Sequence, residues 1–223
     1  MSLYIVATPI GNLEDITLRA IRVLKEAELV VVEDTRRTGI LLKHYGIKKS
    51  LLSYHDHNKE ERTPEIIKRL NAGEKVALVS DSGTPGISDP GFYLVRKAIE
   101  SGLPVVPIPG PTAIISGLVV SGLPTDKFVF EGWLPRKSTQ RKQRLKELLQ
   151  EPRTIVFFES PHRLLNSLED CLLVLGDRRV VLCRELTKKF ETVERDKISN
   201  LIKEYSDKSP RGEFIVVLEG CAR

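Results

Sequence analysis

The residues best placed for chemistry in this chain lie where apolar runs stop. Residues 76–79, Val-Ala-Leu-Val, read as a buried strand that passes at once into Ser80, Asp81, Ser82, Gly83, Thr84, Pro85, Gly86 and Ile87. Glycines at 83, 86 and 91 allow positive φ and close approach to the main chain, while Pro85 and Pro90 stiffen the turn. The chain repeats the device. Residues 3–7 run into Thr8, Pro9, Ile10, Gly11 and Asn12, and residues 105–108 run into Pro109, Gly110, Pro111 and Thr112. In an open α/β sheet, ligands sit at the carboxyl ends of strands, which is where such loops would lie.

Groups able to hold or move a proton collect at similar places. Glu33 and Asp34 follow the apolar run 29–32, Asp81 follows 76–79, and Glu159 follows 154–158 and precedes Ser-Pro-His-Arg. Glu185 stands three residues before Lys188 in Arg-Glu-Leu-Thr-Lys-Lys-Phe-Glu. Each can position a polar group or take up a proton. The structural alternatives are a helix cap with an ion pair for Glu33, Asp34 and Arg36, and an Asx turn for Asp81. Apolar neighbours around Glu159 would raise its pKa. Arg184, Lys188 and Lys189 can hold phosphates or form a solvated face. His55, Asp56 and His57 share one polar loop with no third ligand at useful spacing, so no metal site is expected.

These groups need a scaffold, and the sequence supplies one. At 223 residues and 41% hydrophobic the chain can bury a sizeable core. Short apolar strands alternate with helical patterns up to residue 121, which predicts a parallel sheet with three polar or glycine-proline loops along one edge. Around 121–127 the pattern changes at Gly122 and Pro124, so the domain boundary is expected there, giving domains 1–121 and 122–223. The second half holds a basic helix, strands at 154–158, 180–184 and from 192, and a closing apolar strand at 214–218. Between Pro135 and Arg153 seven basic residues face two acidic ones, an excess equal to the net +5 of the whole chain. Such a basic face favours a nucleic-acid partner, and Trp133, beside Phe128 and Phe130, can stack a base next to it. No apolar run reaches the roughly 20 residues of a membrane span. The opening segment lacks the pattern of a secretory leader, and three cysteines without ligand spacing suit reduced thiols; a cytoplasmic protein is expected.

Eight segments together resemble the tetrapyrrole methylase family: TPIGNLEDITLRA, VVEDTRRT, SDSGTPGISDPG, PIPGPTA, FEGWLPRK, FFESPHRL, RELTKKFE and GEFIVVLEG, in the family's order. They are most similar to its branch that methylates a cytidine ribose 2′-hydroxyl in the decoding region of small-subunit ribosomal RNA. The resemblance implies a class III methyltransferase fold of two α/β domains with S-adenosylmethionine in a cleft between them, acting as a homodimer on 16S RNA or the assembled 30S subunit. It implies donor contacts at Pro9 and Gly11; at Asp81, Gly83, Thr84, Pro85, Gly86 and Ile87; at Pro109, Gly110, Pro111, Thr112 and Ala113; and at Pro161 and His162. Glu33, Asp34, Glu159, Glu185 and Lys188 are then the candidates for handling the proton of the acceptor hydroxyl. Family members often continue with a further helical segment, whereas this sequence stops at Arg223, which implies weaker RNA affinity or affinity supplied by the dimer. A small-molecule methyltransferase acting on a tetrapyrrole, and a non-catalytic RNA-binding ribosome-assembly protein, are the alternatives.

Overall fold

Residues 2–112 alternate β-branched strands with amphipathic helices, and in the computed structural model, which describes residues 2–221, they form a unit spanning Met1–Thr112. Its elements are β1 (Ser2–Val6), α1 (Leu18–Glu26), β2 (Leu29–Val32), α2 (Thr35–His44), β3 (Ser50–Ser53), α3 (Lys59–Asn71), β4 (Lys75–Leu78), α4 (Gly91–Glu100) and β5 (Val105–Ile108). The sheet order is β3-β2-β4-β1-β5 and every neighbouring pair is parallel, as the alternation predicts.

Side chains of alternate parity leave opposite faces of each strand, so the sheet needs two covers. Val6, Val30, Val32 and Ala77 pack with Ala20, Leu24 and Leu41 of α1 and α2. Leu3, Leu29, Val31 and Val76 pack with Ile66, Leu70 and Leu94 of α3 and α4. Because all five strands run the same way, the loops after β1, β2, β4 and β5 share one edge.

Two helices begin earlier than their patterns suggest. The apolar stripe of α2 points to a start near Thr38, but Asp34 caps it by accepting from the Arg36 N–H at 2.8 Å, adding a turn. Pro64 looks like the first residue of α3, yet it lies inside a helix that starts at Lys59.

The second unit, Ala113–Arg223, contains α5 (Ala113–Ser121), β6 (Phe128–Trp133), α6 (Ser138–Glu147), β7 (Thr154–Glu159), α7 (Leu164–Leu175), β8 (Arg179–Arg184), β9 (Thr192–Lys197), α8 (Ile198–Tyr205) and β10 (Phe214–Leu218). Its sheet order is β6-β7-β10-β8-β9, with β6 and β7 parallel and the remaining pairs antiparallel. β10 is central and buried throughout. The division between units falls before α5, ahead of the change of pattern at 121–127. Gly117 lets that helix press on β10: a Cβ there would meet Ile215 Cγ2 at 2.8 Å. Arg195 of β9 donates to the carbonyls of Val120 and Ser121, closing the helix's C-terminal end.

Candidate active site

In the first unit three separate loops are tied into one surface. Thr8 and Gly83 exchange backbone hydrogen bonds in both directions, at 2.9 and 3.0 Å, joining the loop after β1 to the loop after β4. The Thr8 hydroxyl donates to the Ser80 carbonyl at 3.2 Å, and Thr84 Oγ1 donates to the Pro111 carbonyl at 3.3 Å, which brings in the loop after β5. Pro9, Asp81, Gly83, Thr84, Gly110 and Pro111, far apart in the chain, thus meet at one edge. Gly110 is held against Ala7, where a Cβ would sit 3.0 Å from the alanine methyl, so the main chain itself forms the wall. A pocket of about 160 Å³ opens here, lined by Thr8, Pro9, Leu13, Arg37, Thr38, Ile40, Leu41, Ser80 and Asp81.

The β4 loop is held by a carboxylate that loop composition alone does not single out. Asp89 accepts from the Gly86 N–H at 2.9 Å and the Gly91 N–H at 2.7 Å, stapling the turn that carries Pro85, Gly86 and Ile87. Gly91 is enforced by space: a Cβ there would meet Asp89 Oδ1 at 2.7 Å and the Gly86 nitrogen at 3.0 Å. The Asp-Pro pair at 89–90 is the sequence signal for it.

The ionisable groups at this edge do different work. Asp81 accepts from the Asp34 N–H at 2.9 Å and faces Arg37 at 3.6 Å, so the loops after β2 and β4 are joined through its carboxylate. Asp34 is the α2 cap and is paired with Arg36 at 2.7 Å; the Arg36 side chain and backbone N–H hold its carboxyl down to about 2. A carboxylate so stabilised is a weak proton acceptor, which corrects its place among the proton-handling candidates. Glu33 is the opposite case. It is exposed, yet partial desolvation and then the charges of Asp81 and Asp89 push its carboxyl upward.

The second unit's candidates resolve mostly into structural roles. Glu159 is fully buried. Its oxygens accept from Ser167 Oγ at 2.5 Å and the Ser160 N–H at 2.8 Å, and Arg163 stands 3.3 Å away. A carboxylate sealed in this way cannot reach an acceptor hydroxyl; it pins the start of α7 beneath β7. Lys188 is no depressed base either. Burial pulls its pKa down, but hydrogen bonds to Glu185 and Glu213, both at 2.9 Å, outweigh that and raise it. Glu185 is correspondingly lowered: desolvation opposes, while Lys188 and the Glu213 N–H prevail. His162 is exposed beside half-buried Pro161.

The basic segment is also partly spent. Arg141 is buried and bonded to Asp170 at 2.6 Å, with Ser138 and Lys142 on the same carboxylate. Arg144 pairs with Glu131 and Glu147, and Arg153 with Glu151. The cations left facing solvent are Arg136, Lys137 and Lys146, beside a half-exposed Trp133 packed on Phe158 at 5.5 Å. In the 55–57 loop, Asp56 is bound to Lys59 at 2.8 Å.

The model of the Tetrapyrrole (Corrin/Porphyrin) Methylases matches residues 2–202. The chain belongs to this family. Its methyl donor is S-adenosylmethionine, and the glycine-walled, main-chain-lined edge of the first unit suits a donor gripped by backbone rather than through a GxGxxG turn. Among curated relatives, the ribosomal RNA small subunit methyltransferase I of Haemophilus influenzae is 50% identical over 98% of this chain and 78% of its own length. The protein of the same name from Thermotoga maritima is 51% identical over 98% of both chains. Among solved structures, a cobalt precorrin-4 methyltransferase superposes with a TM-score of 0.72 at 18% identity, covering 98% of this chain and 94% of its own. Uroporphyrin III C-methyl transferase from Thermus thermophilus does so at 0.67 and 20%, covering 97% of each. These two likenesses establish the two-sheet α/β fold of the family.

Proposed function

We propose that this protein methylates the ribose 2′-hydroxyl of a cytidine in the decoding region of small-subunit ribosomal RNA. The observation that carries the reading is the likeness, near 50% identity over 98% of the chain, to relatives named for methylating that RNA. The tetrapyrrole enzymes that share the fold stand far lower, at 18–23% identity.

The bound donor supplies a sulfonium-linked methyl group open to in-line attack by an oxygen. The chain's own part is to hold, align and deprotonate. Main-chain groups at Pro9, Gly11, Gly83 to Ile87 and Pro109 to Thr112 would grip the donor, with Asp81 taking its hydroxyl or amino hydrogens. Ala113, Pro161 and His162 would complete the contacts. Glu33 would accept the proton of the 2′-hydroxyl: it is accessible, it stands beside the donor loops, and its raised pKa brings its basicity closer to working pH. Arg136, Lys137 and Lys146 would meet RNA phosphates, and Trp133 a base. The protein would act as a homodimer in the cytoplasm, on naked RNA or the assembled subunit.

The test is methyl transfer from labelled S-adenosylmethionine to small subunits isolated from cells lacking this protein, followed by nuclease digestion and mass analysis. Label on one cytidine ribose supports the reading. Donor binding without RNA label would turn it toward a small-molecule acceptor.

A further inference from the structure

The turn between β8 and β9 is built more tightly than a hairpin connection requires. Glu185 and Thr187 both occupy the left-handed region, at φ 50° and 65°, where residues with side chains are uncommon. The conformation is held from several sides. The Glu185 N–H donates to the Glu213 carbonyl at 3.0 Å, Lys188 bridges Glu185 and Glu213, and the Glu191 carboxylate accepts from the Thr187 N–H at 2.5 Å. Gly212 leaves room for this packing, since a Cβ there would fall 2.5 Å from Glu185 carbons.

What this rigid turn presents is an aromatic ring in water. Phe190 is 65% exposed, with the Lys189 ammonium 5.7 Å from its ring centre. Beside the turn, Arg184 donates to the Arg211 carbonyl at 2.7 Å, and a pocket of about 360 Å³ is lined by Arg184, Lys208, Arg211, Ser209, Tyr205 and Glu194. Its one lining carboxylate, Glu194, accepts from the Tyr205 hydroxyl at 2.7 Å. Among the described residues Arg184, Lys189 and Arg211 form no ion pair with a carboxylate, whereas Lys208 is paired with Glu204. An exposed ring on a fixed turn costs little entropy to use, and flanking cations make a single-stranded nucleic acid its matching partner.

We propose that the β8–β9 turn is an RNA-docking element in which Phe190 stacks on an unpaired base while Arg184 and Arg211 hold a neighbouring phosphate. The proposal rests on the RNA reading above and adds a contact surface to it. The experiment is equilibrium binding of the full chain, loaded with S-adenosylmethionine, to a fluorescein-labelled single-stranded fragment of small-subunit ribosomal RNA over a range of salt concentrations. Phe190→Ala should weaken binding about 5- to 150-fold, the range for removal of one stacking aromatic, and Phe190→Trp should restore it. Arg211→Ala should flatten the logarithmic salt dependence by about 0.7, the share of one single-strand phosphate contact. Donor affinity and sedimentation should not change. Wild-type affinity in Phe190→Ala overturns the proposal, and a change in oligomeric state alone in that variant reassigns the ring to a protein interface. If wild type itself neither binds nor methylates RNA, the RNA reading fails and takes this proposal with it.

Discussion

Glu33 and Glu159 look alike in sequence and opposite in structure. Both follow strongly apolar strands, Leu-Val-Val-Val and Thr-Ile-Val-Phe-Phe, and both stand at a strand's carboxyl end. Glu159 is sealed, its oxygens taken by Ser160, Ser167 and Arg163. Glu33 faces water, with acids rather than bases as its strongest charged neighbours, and its pKa is raised. The strand end offers a carboxylate a place, while the partners decide its work. One carboxylate stabilises the fold; the other is left basic at a cost to stability, available for reaction.

This contrast can be broken by substitution. The largest effect is expected at the sealed acid. Glu159→Ala strips Arg163 and Ser167 of their acceptor and should cost about 3–5 kcal/mol in urea unfolding, since a buried charge loses its partner. Arg141→Ala should cost a similar amount through Asp170, and its loss of RNA binding should go no further than its loss of folded protein. Next comes the loop after β4. Gly91→Ala forces a Cβ into Asp89 and the Gly86 nitrogen and should cost about 1–3 kcal/mol, with weaker S-adenosylmethionine binding by calorimetry. The smallest effect on stability is expected from charge reversal of Arg136, Lys137 and Lys146. Their exposed side chains should leave the unfolding midpoint within about 0.5 kcal/mol per site while RNA affinity falls and loses salt dependence.

Glu33 should respond in the opposite sense. Its raised pKa means that the folded chain holds that proton more tightly than the unfolded chain does. Glu33's contribution to stability is therefore most favourable at low pH and declines as pH rises through the folded-state pKa. Glu33→Gln should unfold no earlier than wild type at neutral pH, the reverse of Glu159→Ala.

The strand-end loops were legible because glycine and proline report backbone geometry locally, and three such loops after parallel strands must share an edge. β1 to β5, their parallel pairing and the central place of β10 follow from the same periodicity. What was not legible depends on partners brought by tertiary packing. Ser167 lies eight residues from Glu159, and Asp170 lies 29 from Arg141. No local pattern tells a buried guanidinium from a solvated one, so a basic stretch that reads as a single RNA face divides into paired and exposed cations. The start of α2 was open for a related reason: the charged cluster offers Asp34 equally as a site residue and as a helix cap, and only the Arg36 N–H on its carboxylate decides for the cap. Asp89 shows the converse, a turn residue whose staple is clear only once the Gly86 and Gly91 amides are seen around it.

The role of Glu33 is tested most directly by the single-turnover rate of methyl transfer by Glu33→Gln, followed across pH with S-adenosylmethionine and small subunits saturating. If Glu33 takes the 2′-hydroxyl proton, the rate falls at least about 100-fold below wild type, and the acid limb that wild type owes to the raised Glu33 carboxyl is lost. A variant within twofold of wild type, with the same acid limb, would contradict that role and remove Glu33 from the chemistry.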